Sequence, residues 1–265
     1  MGDMTNWLYD PQGRLHICIS GQLSILMLIE ELELAGIDCF FSNTDGFAVK
    51  VKKTQREEFQ KICDNWAALT TYNLEYVEYK RMYFRDVNNY IAETTDGKVK
   101  KKGIFLTSTE LHKNKSFRVI AMALEQYFIN GIKPEDYIPF YQNVYDFCGR
   151  STAPKKTFEH VDLKTKKKLP HLIRYYVTEN SNPDGSKPIK MVKATAKTKA
   201  KSTLVEPADY LKILCNYLPP SDFSHHLSQI NHQWYIDECY KVILPIEAGR
   251  KIKFQPPPKN QLSLF

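Results

Sequence analysis

Asp45 is the acidic residue best placed for chemistry. It lies in Asn43-Thr44-Asp45-Gly46, a short polar stretch between two apolar runs of strand length within Asp38 to Val51. That pattern predicts a β-hairpin with Asp45 at its tip. Phe40, Phe41, Phe47, Val49 and Val51 add strand propensity on both sides. A carboxylate on a tight hairpin has rigid support, while its oxygens stay open to a metal ion or a substrate. Asn, Asp and Gly also make plain surface turns, so the turn alone assigns no role.

The second chemical signal is positive charge. The chain carries a formal net charge of +7 and a pI near 8.9. Between Arg150 and Lys201 there are fourteen Lys or Arg against four acidic residues, a local excess of ten. The remaining chain is therefore slightly acidic, and the basic third is the part suited to phosphates. Lys164, Lys166, Lys167 and Lys168 come first, then Arg174 beside Tyr175 and Tyr176, then Lys190 and Lys193. These residues supply charge and aromatic surface that can position a duplex without reading its sequence. The alternatives are a solvated basic face, a mobile lysine loop at Lys197–Lys201, and tyrosines that belong to the core.

The six cysteines are scattered, with no C-x-x-C pair. They read as core thiols in a reducing compartment, without disulfides or a cysteine metal site. His225, His226, His232 and Cys239 match no standard zinc spacing. No signal peptide is recognised, and no apolar run is read as long enough to span a bilayer, so no membrane partner is expected.

The elements that must position these residues follow from periodicity and punctuation. Residues 1–14 look like a lead-in. Gln22 to Ala35 predicts a largely buried helix ended by Gly36. After the hairpin, Thr54-Gln55-Arg56-Glu57 reads as a capping box opening a second helix through about Ala68, with Phe59 and Ile62 facing inward. Leu74 to Ile91 predicts two strands broken near Asp86. A further hairpin turns at Asp96-Gly97 and returns through Val99 to Leu106. This first part reads as an antiparallel sheet with helices on one face, an α+β layer. Helices are then expected at Ser116–Asn130, Pro134–Phe147, about Ala208–Leu218 and Ser228–Leu244. Between them lie strands at Leu172–Thr178 and Ile189–Val192 around a turn at Asn182-Pro183-Asp184-Gly185. The second part thus reads as mostly helical with a small basic β insertion. Beyond Arg250, Pro256-Pro257-Pro258 marks an extended tether.

Several of these stretches together resemble the C-terminal part of family B DNA polymerases, most closely those of tailed bacteriophages. Ser42-Asn43-Thr44-Asp45-Gly46 is similar to the third polymerase motif of that family, D-T-D-S on a palm hairpin. Gly21 to Glu33 is similar to the helix leading from the fingers into that motif. Tyr79-Lys80-Arg81-Met82-Tyr83 through Asn88-Asn89-Tyr90-Ile91-Ala92 is similar to the K-K-R-Y-A region. Val99-Lys100-Lys101-Lys102-Gly103-Ile104 is similar to the lysine-glycine strand that meets primer DNA before the thumb. The matches keep their order across about residues 15–130. Asn43 stands where the first aspartate of D-T-D-S is usual, and Gly46 replaces its serine. Asn88 and Asn89 replace common cations.

The resemblance implies a partial palm over residues 1–106, a thumb over 107–250 and a flexible tail over 251–265. It implies template-directed nucleotidyl transfer from dNTP to primer–template DNA, with Asp45 as catalytic residue and Mg2+ ligand. Lys80, Arg81, Tyr90, Lys102 and Gly103, then Lys166, Lys167, Lys168, Arg174 and Lys190, are the implied DNA contacts. Glu75, Glu78 and Asp86 are expected to pair with Lys80, Arg81 or Arg85 rather than to hold metal. The family's two metal ions share a second bridging aspartate from its first motif, and no counterpart is recognised among these residues. A second chain carrying the exonuclease, fingers and remaining palm motifs is therefore expected. Met1, opening just after the expected second motif, fits a gene split within the polymerase, with a truncated reading frame as the alternative.

The last five residues, Gln261-Leu262-Ser263-Leu264-Phe265, resemble the Q-L-x-L-F peptide that grips the bacterial sliding clamp. Leu262, Leu264 and Phe265 would fill an apolar pocket and Gln261 would make polar contacts. The cytoplasm of a bacterial host is the expected location. The competing readings are a non-catalytic basic DNA-binding replication subunit and an unrelated RNA-binding α+β module.

Overall fold

The computed structural model describes residues 9–107, 117–154, 158–192, 202–216 and 218–251. Expectations placed on Ser116, Lys193, Lys197–Lys201 and the tail with Gln261, Leu262, Leu264 and Phe265 lie outside the described residues. The chain divides into two compact units, one ending at Tyr79 and the other beginning at Lys80.

In the first unit the order is helix, hairpin, helix, as the sequence predicts: α1 (Pro11–Leu34), β1 (Cys39–Ser42), β2 (Phe47–Val49) and α2 (Arg56–Thr70). Helix α1 starts well before Gln22. Asp10 is its N-cap, accepting from the Gly13 N–H at 2.9 Å, and Pro11 occupies the first helical position. This is the usual start signal of a capping carboxylate followed by a preset φ. The helix ends as expected at Gly36, whose φ of +76° reaches the left-handed region. The Ile37 N–H returns to the Leu32 carbonyl and the Gly36 N–H to that of Glu33, both at 2.9 Å. Ile37 and Leu32 are fully buried, which completes the cap with an apolar contact.

Two expectations about α1 are corrected. It is not largely buried: Leu28 and Leu32 are its buried residues, while Leu15, Ile19, Leu23 and Leu26 are exposed. At 100° per residue those four fall on the side opposite Leu28 and Leu32. The early start also joins two apolar runs into a 24-residue helix of mean hydropathy 1.4 over its most apolar window, long and apolar enough to cross a membrane. The capping box before α2 does not form. A 3-10 turn at Lys53–Gln55 precedes the helix, and Gln55 makes no side-chain cap. Cys63 and Trp66 of α2 still pack with Leu28, Leu32 and Ile37, joined by Phe59 and Ile62. The Trp66 indole N–H donates to the Ser24 carbonyl at 2.8 Å.

The second unit opens with an antiparallel sheet in the order β3-β4-β5, formed by β3 (Tyr79–Asp86), β4 (Asn89–Thr94) and β5 (Val99–Lys102). The predicted breaks near Asp86 and at Asp96-Gly97 are its two turns. Ile91 and Phe105 join a core with Val119, Ala123, Leu124 and Phe128 from α3 (Arg118–Glu125) and the π-helical turn Gln126–Asn130 that continues it. The expected helix at Pro134–Phe147 is broken. Only α4 (Pro134–Tyr137) is α-helical, and 3-10 turns follow at Ile138–Phe140, with Pro139 within, and at Val144–Phe147.

The fold is α+β, with a β part larger than a small insertion. Strands β6 (Gly149–Thr152), β9 (Leu172–Thr178) and β12 (Leu211–Leu214) form a sheet in the order β12-β9-β6. Strands β7 (Phe158–Asp162), β8 (Lys168–Leu169), β10 (Pro188–Val192) and β11 (Ser202–Leu204) form another, in the order β11-β10-β7-β8. Ser151 Oγ and His160 Nε2, 2.9 Å apart, tie the two sheets. The helix expected at Ala208–Leu218 is strand β12, because Leu211–Leu214 pairs along Tyr175–Thr178; an available sheet edge outweighs a weak local preference. Gly149 lies just beyond the expected helix Pro134–Phe147, in a strand rather than at a helix end. It is buried in β6, where a Cβ would lie 2.8 Å from the Phe117 ring. Helices α5 (Phe223–Ser228) and α6 (His232–Lys251) close the unit, and Phe117 packs edge-on against Trp234 and Tyr235 of α6.

Asp162 shapes the basic turn that joins β7 to β8. It is 2 % exposed, and accepts from the backbone N–H groups of Lys164 and Lys187 and the hydroxyls of Thr165 and Ser186. Burial alone would raise its carboxyl, but these donors outweigh it and hold the group below the ordinary carboxylate range. A carboxyl depressed on folding stabilises the fold above its unfolded pKa, about 3.9, and that contribution is lost as pH falls through the folded value. Asp162→Asn should therefore flatten the acid limb of a melting-temperature profile below about pH 4. An unchanged limb would show that Asp162 does not set it.

Candidate nucleic-acid interface

In the first unit, β1 and β2 pair through Cys39↔Val49, Phe41↔Ala48 and Ser42↔Phe47, with an irregularity between Cys39 and Phe41. The connecting turn is Asn43-Thr44-Asp45-Gly46. The Asn43 N–H donates to the Gly46 carbonyl at 2.8 Å, and Asn43 Oδ1 accepts from the Asp45 N–H at 3.1 Å. Asn43 thus spends its amide oxygen on closing the turn. Asp45 is exposed, and its carboxylate accepts no hydrogen bond from a described residue. One open hard-oxygen ligand suits Mg2+, which takes one or two protein carboxylates together with substrate phosphates. Among the described residues, no three His, Cys, Asp or Glu side chains gather as a metal site.

In the second unit, four of the expected contacts, Lys80, Arg81, Tyr90 and Lys102, share one sheet, and Gly103 follows its last strand. Tyr90 pairs with Lys102, Ile91 with Lys101, Ala92 with Lys100 and Glu93 with Val99. Cross-strand partners share a face, so Tyr90, Lys100 and Lys102 lie on one side. Ile91 and Val99 lie on the other, in the core with α3, and Lys101 reaches Glu125 of α3 at 2.7 Å. Lys80 and Arg81 of β3 converge on Glu93, at 3.2 and 2.5 Å. The hydrogen bond from Arg81 is the main reason the Glu93 carboxyl sits below its ordinary range. The acidic residues expected to pair with Lys80 and Arg81, namely Glu75, Glu78 and Asp86, do not do so. Glu78 instead pairs with Arg56, and Asp86 accepts from Asn88 and Asn89 within the β3–β4 turn. Glu93 was missed because its partners are assigned only when β3 and β4 pair. Asn88 and Asn89 stand at places of expected primer contact but serve this turn.

The basic contacts further along divide by burial. Lys166, at φ +59°, and Lys167 are exposed in the turn that Asp162 organises, and neither makes an ion pair with a described residue. Lys164 instead donates to the carbonyls of Pro183 and Gly185, at 2.5 and 3.2 Å. Lys168 pairs with Glu159 at 2.8 Å. The Lys190 ammonium lies 4.6 Å from the centre of the Phe158 ring. Arg174 is corrected as a phosphate contact: at 6 % exposure its guanidinium is inside the fold. Tyr175 and Tyr176 are core residues, their hydroxyls bonded to the Glu206 carbonyl and His226 Nδ1 at 2.7 and 2.8 Å. Burial pushes both hydroxyls well above their ordinary titration range. No protein-family model matches this chain, and no curated protein matches it in sequence.

Proposed function

We propose that this chain is the palm-and-thumb portion of a family B-type DNA polymerase, gripping primer–template DNA and supplying one metal-binding carboxylate for nucleotidyl transfer. The observation that carries the reading is the Asn43–Gly46 turn, which presents Asp45 exposed at a hairpin tip directly after a helix. The Tyr90–Lys102 face and the Lys166–Lys167 turn support a sequence-independent hold on phosphates. In this reading Asp45 would be one ligand of Mg2+, which when bound supplies Lewis-acid stabilisation of the transferring phosphoryl group. The second bridging carboxylate comes from a polypeptide segment outside these residues. The exposed aliphatic side of α1 supports such a docking partner, since apolar patches of this kind mark interaction sites.

A second reading is favoured by Asp45 having no cluster of other acidic ligands beside it among the described residues: a non-catalytic DNA-binding replication subunit. Both readings include tethering to a sliding clamp through Gln261–Phe265, which raises apparent affinity by making the second contact intramolecular. Primer extension separates them. With a chain carrying the missing motifs, Mg2+ and dNTP, the polymerase reading expects template-directed products; their absence in a complex that binds the duplex leaves the second reading.

The grip itself is tested by salt. Binding of a primer–template duplex should weaken steeply with ionic strength, and Lys166→Ala with Lys167→Ala should lower the log–log slope by about two. Adding Lys168→Ala should change the slope little more, because Glu159 already neutralises that lysine. An unchanged slope in the double variant would remove the turn from the interface.

A further inference from the structure

We infer that Asn89 is the positioning residue of the Tyr90–Lys100–Lys102 surface, locking the corner after β5 so that both lysines meet one nucleic-acid backbone together. The inference rests on the nucleic-acid reading above. The Asn89 side-chain amide is engaged at both its nitrogen and its oxygen. Its Nδ2 donates to both oxygens of Asp86, at 2.7 and 2.9 Å, and its Oδ1 accepts from the Ile104 N–H at 2.9 Å. Asp86 ends β3, Asn89 opens β4 and Ile104 follows β5. One side chain therefore ties the same end of all three strands.

Gly103 shows how close this tie is. Its φ is +65°, and a Cβ there would lie 2.2 Å from Asn89 Oδ1 and 2.3 Å from the Asn88 carbonyl. The corner thus requires a residue without a side chain at 103 and an acceptor at 89. Without that acceptor the Ile104 N–H loses its partner, and the chain leaving Lys102 loses its direction. Lys100 and Lys102 are two residues apart on one strand, about 6.7 Å, close enough for both to reach phosphates of one nucleic-acid strand. Two lysines at that separation act together only while the end of β5 is held.

The test uses the full chain and a short fluorescent primer–template duplex, with anisotropy read over a salt series below every variant's melting temperature. Lys100→Ala with Lys102→Ala should lower the log–log salt slope by about two. Asn89→Ala should lower it by about one and weaken binding about tenfold at low salt, although Asn89 contributes no charge. Asn89→Asp keeps an acceptor for Ile104 but faces Asp86 with a like charge, and should also weaken binding. Combining it with Asp86→Asn reverses the donor order, removes the clash and should restore wild-type slope and affinity. If the lysine variants change nothing, the surface itself is wrong. If they act but Asn89→Ala lowers only the melting temperature, the positioning role is overturned. Should Asn89→Ala fail to fold, equal binding by Asn89→Asp and the reversed pair would overturn it instead.

Discussion

Asp45→Ala should abolish nucleotide incorporation, by on the order of 10³-fold or more, in the assembly of this chain with the one carrying the remaining motifs. A metal ligand in phosphoryl transfer acts on charge that develops in the transition state, so its loss falls on the rate rather than on duplex affinity. The structure separates this effect from misfolding. Asp45 is exposed at the hairpin tip, and the turn is closed by Asn43 and Gly46 rather than by its carboxylate. Removing that side chain should change stability by no more than about 0.5 kcal/mol. Single-turnover extension and duplex anisotropy on the same preparation give the two readouts. Incorporation near the wild-type rate would end the metal-ligand assignment. Asn43→Asp is expected to be tolerated, since a carboxylate oxygen can still accept from the Asp45 N–H and the turn survives.

Asp146→Ala should be the most destabilising of the substitutions considered, at about 1–3 kcal/mol. Asp146 is 2 % exposed and accepts from Arg118 Nη1 at 3.1 Å, the Tyr141 hydroxyl at 2.5 Å and Asn143 Nδ2 at 3.0 Å. Burial first, and then the bond to Asp146, push the Tyr141 hydroxyl well above its ordinary titration range. Truncation takes the shared buried acceptor from the Arg118 guanidinium, itself 28 % exposed, from the half-buried Tyr141 hydroxyl and from the exposed Asn143 amide. For a unit of this size the midpoint of thermal unfolding should fall by roughly 2–12 °C. Asp146→Asn keeps an acceptor and should cost less. A fall of less than about 2 °C with alanine would mean that water replaces the carboxylate at no expense.

Legibility in this chain follows the range of the interactions concerned. The sequence alone determined what depends on neighbours a few residues apart: the hairpin around Asp45, the stop at Gly36, the turns near Asp86 and Asp96-Gly97, and the strand Leu172–Thr178. Each is set by backbone sterics or by local alternation of apolar residues. Only the tertiary structure decided which cations remain available to a phosphate. Lys80 and Arg81 meet Glu93, Lys168 meets Glu159 and Arg174 lies inside, while Lys166 and Lys167 stay exposed. Spacing along a chain cannot sort these, because each partner is brought in by strand pairing or burial. For the same reason Ala208–Leu218 reads as a helix, while Leu211–Leu214 within it folds as a strand. The role of Asn89 was hidden too, since its acceptor and donor partners, Asp86 and Ile104, converge only when three strands end at one corner.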